Sequence, residues 1–370
     1  MTNKPLSLYF HFPFCVKKCA YCAFYSLPAQ PEETKSAYCE ALAKQISLLP
    51  QGRRIISVYF GGGTPTCLDA ERLCKLIGLI KERCLIAPDC EITVEANPGT
   101  VGEEALSALY KAGANRLSVG VQSADDGVLS FLGRIHRFAD ARECICAAKR
   151  AGFENISADL MFALPGQTAE ELVKSAEAVC GLGVRHISAY SLQLEPGTPL
   201  YEKRGSLVFP DEDAEEAAYG ALCAVLAEKG YEHYEISSFA LPGFKARHNS
   251  VYWDRGEYLG IGAGAHSFYG GKRFSSPRDI NAFIKKAGFS LFAPTDFDTA
   301  PVISEEEAEE ERIMLGLRTS NGAKIPAEAR GRAKRIAELG YGAFDGERLI
   351  LNEKGFRVSN GIIAEVLVRR

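Results

Sequence analysis

Short runs rich in β-branched and aromatic residues alternate with helical stretches through the first half of the chain, at intervals of roughly 25–50 residues. This alternation predicts successive βα units and therefore a parallel sheet. Strands are predicted at 6–12, 55–60, 91–96, 116–121, 155–161 and 185–191. Helices are predicted between them at 33–49, 69–84, 102–112, 140–151 and 168–181. These units favour an α/β fold with a partial (β/α)6 barrel, and a doubly wound open sheet is the alternative.

The alternation stops after the turn sequence Glu195-Pro-Gly-Thr-Pro199. A helix over 211–228 and a strand over 231–236 follow, and the segment 256–271 is rich in glycine and aromatic residues. Beyond these, the pattern predicts a helix that begins at Ser304, a helix over 327–338 and a strand pair around Gly346, which suits a small winged-helix-like module. We therefore divide the chain into a core (1–200), a barrel extension (201–295) and a C-terminal α+β domain (296–370).

The charge balance and the hydropathy pattern exclude two broad classes of protein. Lys and Arg number 43 against 47 Asp and Glu, a formal charge of -4, which is not the basic signature of a nucleic-acid-binding protein. No apolar run approaches the ~20 residues that a membrane-spanning helix needs. The residues before the first predicted strand do not form the apolar core of a signal peptide. We expect a cytoplasmic protein that binds no nucleic acid.

Three of the 12 cysteines lie close together on a predicted loop after the first strand. Cys15, Cys19 and Cys22 have the spacing C-x3-C-x2-C, which is unusual for incidental cysteines. A structural zinc site takes four ligands, and no second cysteine pair or suitably spaced histidine follows. Three thiolates instead suit a [4Fe–4S] cluster in which one iron has no protein ligand and is open to a small molecule. The other cysteines are spaced irregularly, and we expect most of them to be buried apolar side chains.

The cysteine spacing at the end of the first strand resembles that of the radical S-adenosylmethionine (SAM) superfamily. The resemblance implies that Cys15, Cys19 and Cys22 bind the cluster and that the open iron takes the amine and carboxylate of SAM. Further contacts would lie at the carboxyl ends of the strands, where barrels place their ligands. The residues implied to line the SAM site are Tyr9, Tyr21, Gly62, Gly63, Thr64, Glu95, Gln122, Arg134 and Asp159. For Tyr21 two roles stay open, packing on the adenine ring and anchoring the loop.

Motifs along nearly the whole chain resemble the oxygen-independent coproporphyrinogen III oxidase family and, within it, the HemW-like haem chaperones. The motifs that carry this resemblance include Gly61-Gly-Gly-Thr-Pro-Thr66, Glu95-Ala-Asn-Pro98, Leu132-Gly-Arg-Ile-His136 and His248-Asn-Ser-Val-Tyr-Trp253. Two features depart from the oxidase. Phe24 stands where the oxidase has a fourth cysteine, and the oxidase has a longer N-terminal arm before its first cysteine. The resemblance therefore implies a protein that binds haem and hands it to acceptor haemoproteins, and it argues against oxidase activity.

The H-N-x-x-Y-W segment is the candidate haem contact. His248 has an imidazole that can bind haem iron, and Tyr252 and Trp253 offer flat faces for a porphyrin. The alternative is a surface histidine beside a buried aromatic pair, with no ligand. His266, in a glycine-rich turn, is the second candidate for the iron ligand.

Two other functions stay open from the sequence. One is oxidative decarboxylation of coproporphyrinogen III, which would make the chain an enzyme. The other is a redox or structural iron–sulfur protein without SAM chemistry. Glu95, Gln122 and Asp159 at strand ends argue against the second, because inward charges are unfavourable unless they are paired. The resemblance adds a homodimer as an expectation, and peripheral membrane association is a further one.

Overall fold

Six parallel strands lie side by side in chain order at the centre of an 11-stranded sheet in the computed structural model, which describes residues 4–287 and 300–368. These strands are β1 (Leu6–Phe12), β2 (Arg54–Gly62), β3 (Leu85–Ala96), β4 (Arg116–Gln122), β5 (Asn155–Phe162) and β6 (His186–Ser191). The helices among them are α1 (Glu32–Ser47), α2 (Ala70–Arg83), α3 (Glu103–Ala112), α4 (Asp126–Phe131), α5 (Phe138–Arg150) and α6 (Ala169–Gly181). A doubly wound sheet reverses its strand order, whereas this order runs in one direction. Right-handed crossovers then place the helices on one face and leave the other face to form a lumen.

Short strands from later in the chain extend this sheet at both sides. They are β7 (Glu232–Glu235), β8 (Ser238–Ala240), β9 (Tyr258–Ile261), β10 (His266–Tyr269) and β11 (Lys272–Ser275). Strand β9 pairs in parallel with β1, and β8 pairs antiparallel with β6. The order across the sheet is β11-β10-β9-β1-β2-β3-β4-β5-β6-β8-β7. The edges are therefore β11 and β7, and the predicted partial barrel is confirmed.

The two faces of the six parallel strands differ in polarity. Successive side chains of a strand point to opposite faces, and the apolar ones pack with the helices into one large buried cluster. On the other face, Ser57 Oγ donates to Ser7 Oγ and Tyr59 O–H donates to Glu95 Oε1, both at 2.7 Å. The polar side chains of this face are those of Ser7, Tyr9, His11, Ser57, Tyr59, Glu91, Thr93, Glu95, Arg116, Ser118, Gln122, Ser157, Asp159, His186 and Ser188. Barrels whose interior only packs are filled by Val, Ile and Leu, so this lumen is suited to hold a polar ligand.

The C-terminal part of the described chain has a hydrophobic cluster of its own. Its elements are α11 (Glu305–Gly316), β12 (Ala323–Lys324), α12 (Arg330–Glu338), β13 (Gly342–Phe344), β14 (Arg348–Leu351), α13 (Glu353–Arg357) and α14 (Ser359–Leu367). The strands form an antiparallel sheet of order β12-β14-β13, and Leu317, Ile325 and Leu349 lie in the buried cluster. This is the small α+β unit that the sequence predicts. The predicted boundary at 295/296 lies outside the described residues, and the boundary at 200/201 stays a prediction.

Four more helices of the described chain lie between the later strands of the sheet or after the last of them. They are α7 (Pro199–Glu202), α8 (Glu212–Glu228), α9 (Arg247–Trp253) and α10 (Ile280–Lys286). Backbone hydrogen bonds join the sheet to the C-terminal unit, from Ile236 N–H to Arg318 O (3.0 Å) and from Ser320 N–H to Tyr234 O (2.9 Å). Within residues 4–287 and 300–368, no helix combines the length and the apolar character that crossing a bilayer requires.

Candidate functional site

The three clustered cysteines lie on the loop that leaves the carboxyl end of β1, and all three are half-buried free thiols. A short parallel ladder between Phe14–Cys15 and Leu27–Pro28 closes this loop. Ala20 N–H donates to Leu132 O (3.0 Å), which ties the middle of the loop to the segment after α4. The backbone therefore fixes where the thiols can lie before any ligand is considered.

The chemistry of these thiols fits an iron–sulfur cluster. Burial raises the pKa of the Cys15 and Cys22 thiols, and nearby Cys19 raises both further. Binding to iron would relieve this, because iron takes the thiolate. In the described ranges no three His, Cys, Asp or Glu side chains come close enough to hold one ion. A cube in which three irons each take one cysteine uses three thiolates, the number that this loop offers.

The turn after β2 packs against the cysteine loop through its glycines. Gly63 N–H donates to Phe12 O (2.8 Å), and Thr64 N–H donates to Phe14 O (2.7 Å). A Cβ at Gly63 would lie 2.7 Å from Phe14 O. At Gly62, where φ is +111°, it would lie 2.5 Å from the His11 ring. These contacts require glycine for the packing of the loop itself, whereas contact of Gly62 and Gly63 with SAM stays a prediction.

Two carboxylates, those of Glu95 and Asp159, lie in the lumen close enough for the charge of Asp159 to affect Glu95. Glu95 accepts hydrogen bonds from Tyr59 O–H (2.7 Å) and Gly62 N–H (3.1 Å). Desolvation raises the pKa of Glu95 to about 7, and the charge of Asp159 adds to the rise. Desolvation also raises the pKa of Asp159 to about 6, against the opposing effect of Arg116. Both side chains keep some surface open to the lumen, where they can accept hydrogen bonds from a ligand.

Arg134 and Gln122 complete the group at the carboxyl ends of the strands. The Arg134 guanidinium donates to Asn97 Oδ1 (2.5 Å) and Gly120 O (2.7 Å), and its Nη1 lies 3.5 Å from Cys19 Sγ. Gln122 ends β4 with a φ of 69°, a left-handed conformation that is uncommon for residues other than glycine. Such strain concentrates at ligand sites because the surrounding structure must hold it in place.

The two predicted aromatic contacts differ in their surroundings. Tyr9 lies inside the lumen, where its O–H is 3.1 Å from His11 Nδ1 and its ring stacks on Tyr59 at a centroid distance of 6.0 Å. Tyr21 packs against the small buried cluster that includes Leu132 and Met161. The loop-anchoring role of Tyr21 therefore has a visible contact, and its contact with adenine stays a prediction.

His248 lies away from the cysteine loop and is 1% exposed. Its Nδ1 is 2.9 Å from Ser57 Oγ and its Nε2 is 2.8 Å from Tyr252 O–H, so both ring nitrogens have partners. Burial lowers the pKa of His248 to about 3. The alternative of a surface histidine is thus wrong about its exposure. The role of iron ligand stays a prediction, and it requires one of these two hydrogen bonds to open, because an imidazole binds iron through one nitrogen. His266, at the start of β10, is exposed.

Sequence reasoning missed three residues of the site. Asn97 bridges Thr64 and Arg134, Tyr59 holds Glu95, and the buried Arg116 lies close enough to lower the pKa of Asp159. Asn97 is part of the E-A-N-P motif, and Tyr59 occupies an inward position of β2. The alternation of polar residues along the strands was the signal that could have identified Tyr59 and Arg116.

Comparison with known proteins places this geometry in a family. The family model described as the Radical SAM superfamily matches residues 9–179. The structure of coproporphyrinogen III oxidase (HemN) from Escherichia coli superposes with a TM-score of 0.83, covering 98% of this chain and 90% of that chain at 21% identity. At this identity the likeness concerns the fold alone, and it confirms the α/β architecture.

Curated relatives are similar over most or all of the chain. The chain is 35% identical over 385 residues to the heme chaperone HemW of Lactococcus lactis, covering 100% of this chain and 99% of the relative. It is 36% identical over 383 residues to the heme chaperone HemW of Bacillus subtilis, with 98% and 99% covered. The corresponding Escherichia coli protein is 39% identical over 265 residues, with 71% and 70% covered.

Proposed function

Because the chain belongs to the radical SAM superfamily and, within it, to the family of the heme chaperones HemW, we propose that it binds a [4Fe–4S] cluster, SAM and haem and passes haem to acceptor haemoproteins. The observation that carries this proposal is the similarity to two heme chaperones over essentially their whole length. Membership of the superfamily implies the cluster and SAM as cofactors. The polar lumen and the half-buried thiols of the cysteine loop support this, because the first offers hydrogen-bonding groups to a polar ligand and the second offer thiolates to iron.

Cys15, Cys19 and Cys22 would hold the cluster, which supplies an iron with an open coordination position when it is bound. The chain's own residues then orient SAM. Carboxylates inside the lumen attract a cationic sulfonium and accept hydrogen bonds from hydroxyl or amine groups, and Glu95 and Asp159 are placed for this. The residues proposed to line the SAM site remain Tyr9, Tyr21, Gly62, Gly63, Thr64, Glu95, Gln122, Arg134 and Asp159.

One anaerobic series tests the proposal. The cluster is reconstituted, haem is added, and the Soret band is followed as haem moves to an apo-cytochrome. The same sample is assayed for protoporphyrinogen formed from coproporphyrinogen III. We expect haem uptake and transfer without that product. Turnover of coproporphyrinogen III with no haem uptake would instead assign the chain the oxidase activity.

The role of His248 is tested by the His248→Ala variant. We expect the free energy of unfolding to fall by about 2–4 kcal/mol, because the hydroxyls of Ser57 and Tyr252 lose a buried partner and a cavity is left. We also expect weaker haem binding with the cluster retained, since the proposed iron ligand is gone. Haem titration at a temperature where the variant is folded measures the second effect.

The chain offers a matched control for this variant. His186 is 0% exposed, with Nδ1 2.7 Å from Ser157 Oγ and Nε2 2.8 Å from Tyr234 O–H, so it repeats the surroundings of His248. His186→Ala should lose similar stability and keep its haem affinity. Equal haem affinity in the two variants would remove His248 as the iron ligand and would make His266 the next residue to change.

Three further parts of the proposal concern where and how the protein works. We propose a cytoplasmic location, a homodimer as the resemblance implies, and peripheral contact with membranes. Sedimentation of the protein with and without its cluster measures the dimer, and flotation with lipid vesicles measures the membrane contact.

A further inference from the structure

One side chain, that of Asn97, connects two of the three candidate cluster cysteines. Its Nδ2 is 2.6 Å from Thr64 Oγ1, and its Oδ1 is 2.5 Å from Arg134 Nη2. Thr64 Oγ1 in turn lies 3.6 Å from Cys15 Sγ, and Arg134 Nη1 lies 3.5 Å from Cys19 Sγ. These contacts form an unbroken path from one sulfur to the other with Asn97 at its centre.

Elementary chemistry fixes the direction of both hydrogen bonds made by the Asn97 side chain. A guanidinium has only donors, so the oxygen of the Asn97 amide must face Arg134. The amide nitrogen therefore faces Thr64 and donates to its hydroxyl oxygen. Since that oxygen accepts from Asn97, the hydroxyl proton of Thr64 is free to point at Cys15 Sγ. Both sulfurs thus face a donor, an O–H at Cys15 and an N–H at Cys19.

The backbone of Asn97 is held by its own turn, without help from a ligand. The main-chain carbonyl oxygen of Asn97 accepts hydrogen bonds from Thr100 N–H (3.1 Å) and Thr100 O–H (2.6 Å). Thr100 Oγ1 lies 2.6 Å from Thr66 Oγ1, in the segment that follows the glycine turn. Arg134 is held in addition by Gly120 O at 2.7 Å. The donors are therefore in place before a cluster binds.

We propose that Asn97 is a positioning residue that directs one hydrogen bond onto each of two cluster-binding sulfurs, those of Cys15 and Cys19, and thereby raises the reduction potential of the cluster. This inference rests on the proposed function, because it needs the cluster on these cysteines. Hydrogen bonds to cluster sulfurs stabilise the reduced, more negative form and so raise the potential.

The isosteric variant Asn97→Asp tests the inference. A carboxylate offers Thr64 only acceptors, so the hydroxyl proton of Thr64 turns from Cys15 towards residue 97. We expect the reduction potential, measured by a redox titration followed by electron paramagnetic resonance, to become more negative. Thr64→Val removes the same hydrogen bond without adding charge, and it should shift the potential in the same direction, whereas Thr64→Ser should keep the wild-type value.

The double variant separates the hydrogen bond from the added charge. In a Thr64→Val background, Asn97→Asp should shift the potential less than it does in the wild-type chain, because the hydroxyl is already absent. Equal shifts in both backgrounds, or no shift in Asn97→Asp, would overturn the inference. Should Asn97→Asp fail to retain a cluster, the two Thr64 variants still test the inference. Equal potentials in Thr64→Val and Thr64→Ser would overturn it, because Asn97 acts on Cys15 through that hydroxyl.

Asn115→Asp is the matched control for a general loss of stability. Asn115 Oδ1 accepts from Ile92 N–H and its Nδ2 donates to Cys90 O, both at 2.8 Å, nearer the other end of β3. This variant should lose stability and keep the wild-type potential.

The inference and the proposed function are contradicted by different results. A wild-type chain that holds no cluster contradicts the function, whereas equal potentials in loaded variants contradict only the role of Asn97.

Discussion

Replacement of Cys19 by alanine is expected to abolish the cluster. With only Cys15 and Cys22 left, two irons of the cube would lack a protein ligand, and Arg134 Nη1 would lose the sulfur that lies 3.5 Å away. Anaerobically reconstituted Cys19→Ala should therefore show no absorption at the ~400 nm typical of thiolate-bound iron–sulfur clusters and should retain little iron. The free energy of unfolding of the cluster-free chain should change by less than about 1 kcal/mol, since Cys19 is half-buried on a loop.

The matched control is Cys146→Ala, which removes another half-buried free thiol, on α5. This variant should keep the absorption and the iron of the wild-type chain. A full complement of iron and sulfide in Cys19→Ala would contradict the three-cysteine site. Zinc in the anaerobically purified wild-type protein would contradict the cluster itself.

Replacement of Glu95 by glutamine should have opposite effects on SAM binding and on the stability of the ligand-free protein. The neutral side chain no longer attracts a sulfonium, and it loses one charge-assisted acceptor. We expect SAM affinity to fall about 10- to 100-fold, the equivalent of roughly 1.5–3 kcal/mol. Equilibrium dialysis with the cluster-loaded protein measures this.

The stability effect follows from the raised pKa of Glu95, which is about 7 in the folded protein against an ordinary value of 4.5. The folded state holds the Glu95 proton up to a higher pH than the unfolded state does. Ionisation of Glu95 therefore lowers the free energy of unfolding progressively as the pH rises from 4.5 to 7, and the whole loss is present above pH 7. The pKa shift corresponds to a loss of about 3 kcal/mol in the free energy of unfolding. Contact of the carboxylate with water in the lumen makes the actual loss smaller. Glu95→Gln should therefore be more stable than the wild type by about 1–2 kcal/mol at pH 8 and gain nothing at pH 4.

Glu104→Gln makes the same change of charge at an exposed position of α3 and serves as the control. It should leave SAM affinity unchanged. Unchanged SAM affinity in Glu95→Gln would remove Glu95 from the SAM site. A stability difference that does not vary with pH would show that the carboxyl is not titrating in the folded chain.

The strand-and-helix pattern predicts the centre of the fold well, because each strand has a buried face that its own residues specify. Strand β1 occupies the predicted 6–12. Strand β3 begins at Leu85, earlier than the predicted 91, because the segment around Pro88 bulges while Leu85 still pairs with Arg54. A proline usually argues against the interior of a strand, which is why the sequence places the start of this strand after Pro88. A bulge can accommodate the proline. The edge strands are short and depend on their neighbours, so local pattern alone does not reveal them.

The site was predictable where a motif names the chemistry and unpredictable where partners come from distant segments. The cysteine spacing identifies Cys15, Cys19 and Cys22 as candidates directly. The surroundings of His248 depend on Ser57, 191 positions away in the chain, and nothing local to the histidine indicates that both its nitrogens are used. The similar arrangement at His186 on β6 also depends on another element, because its partner serine, Ser157, lies on the neighbouring strand β5.

The parallel pairing of β1 with β9 has a consequence for how the chain is made. Ser7 pairs with Tyr258, so one side of the first strand has no neighbour until most of the polypeptide has left the ribosome. An edge of this kind is a site for wrong pairing, and contacts between such distant segments form slowly. We expect a newly synthesised chain to depend on chaperones until that late strand arrives, and purified chain to refold slowly for its size.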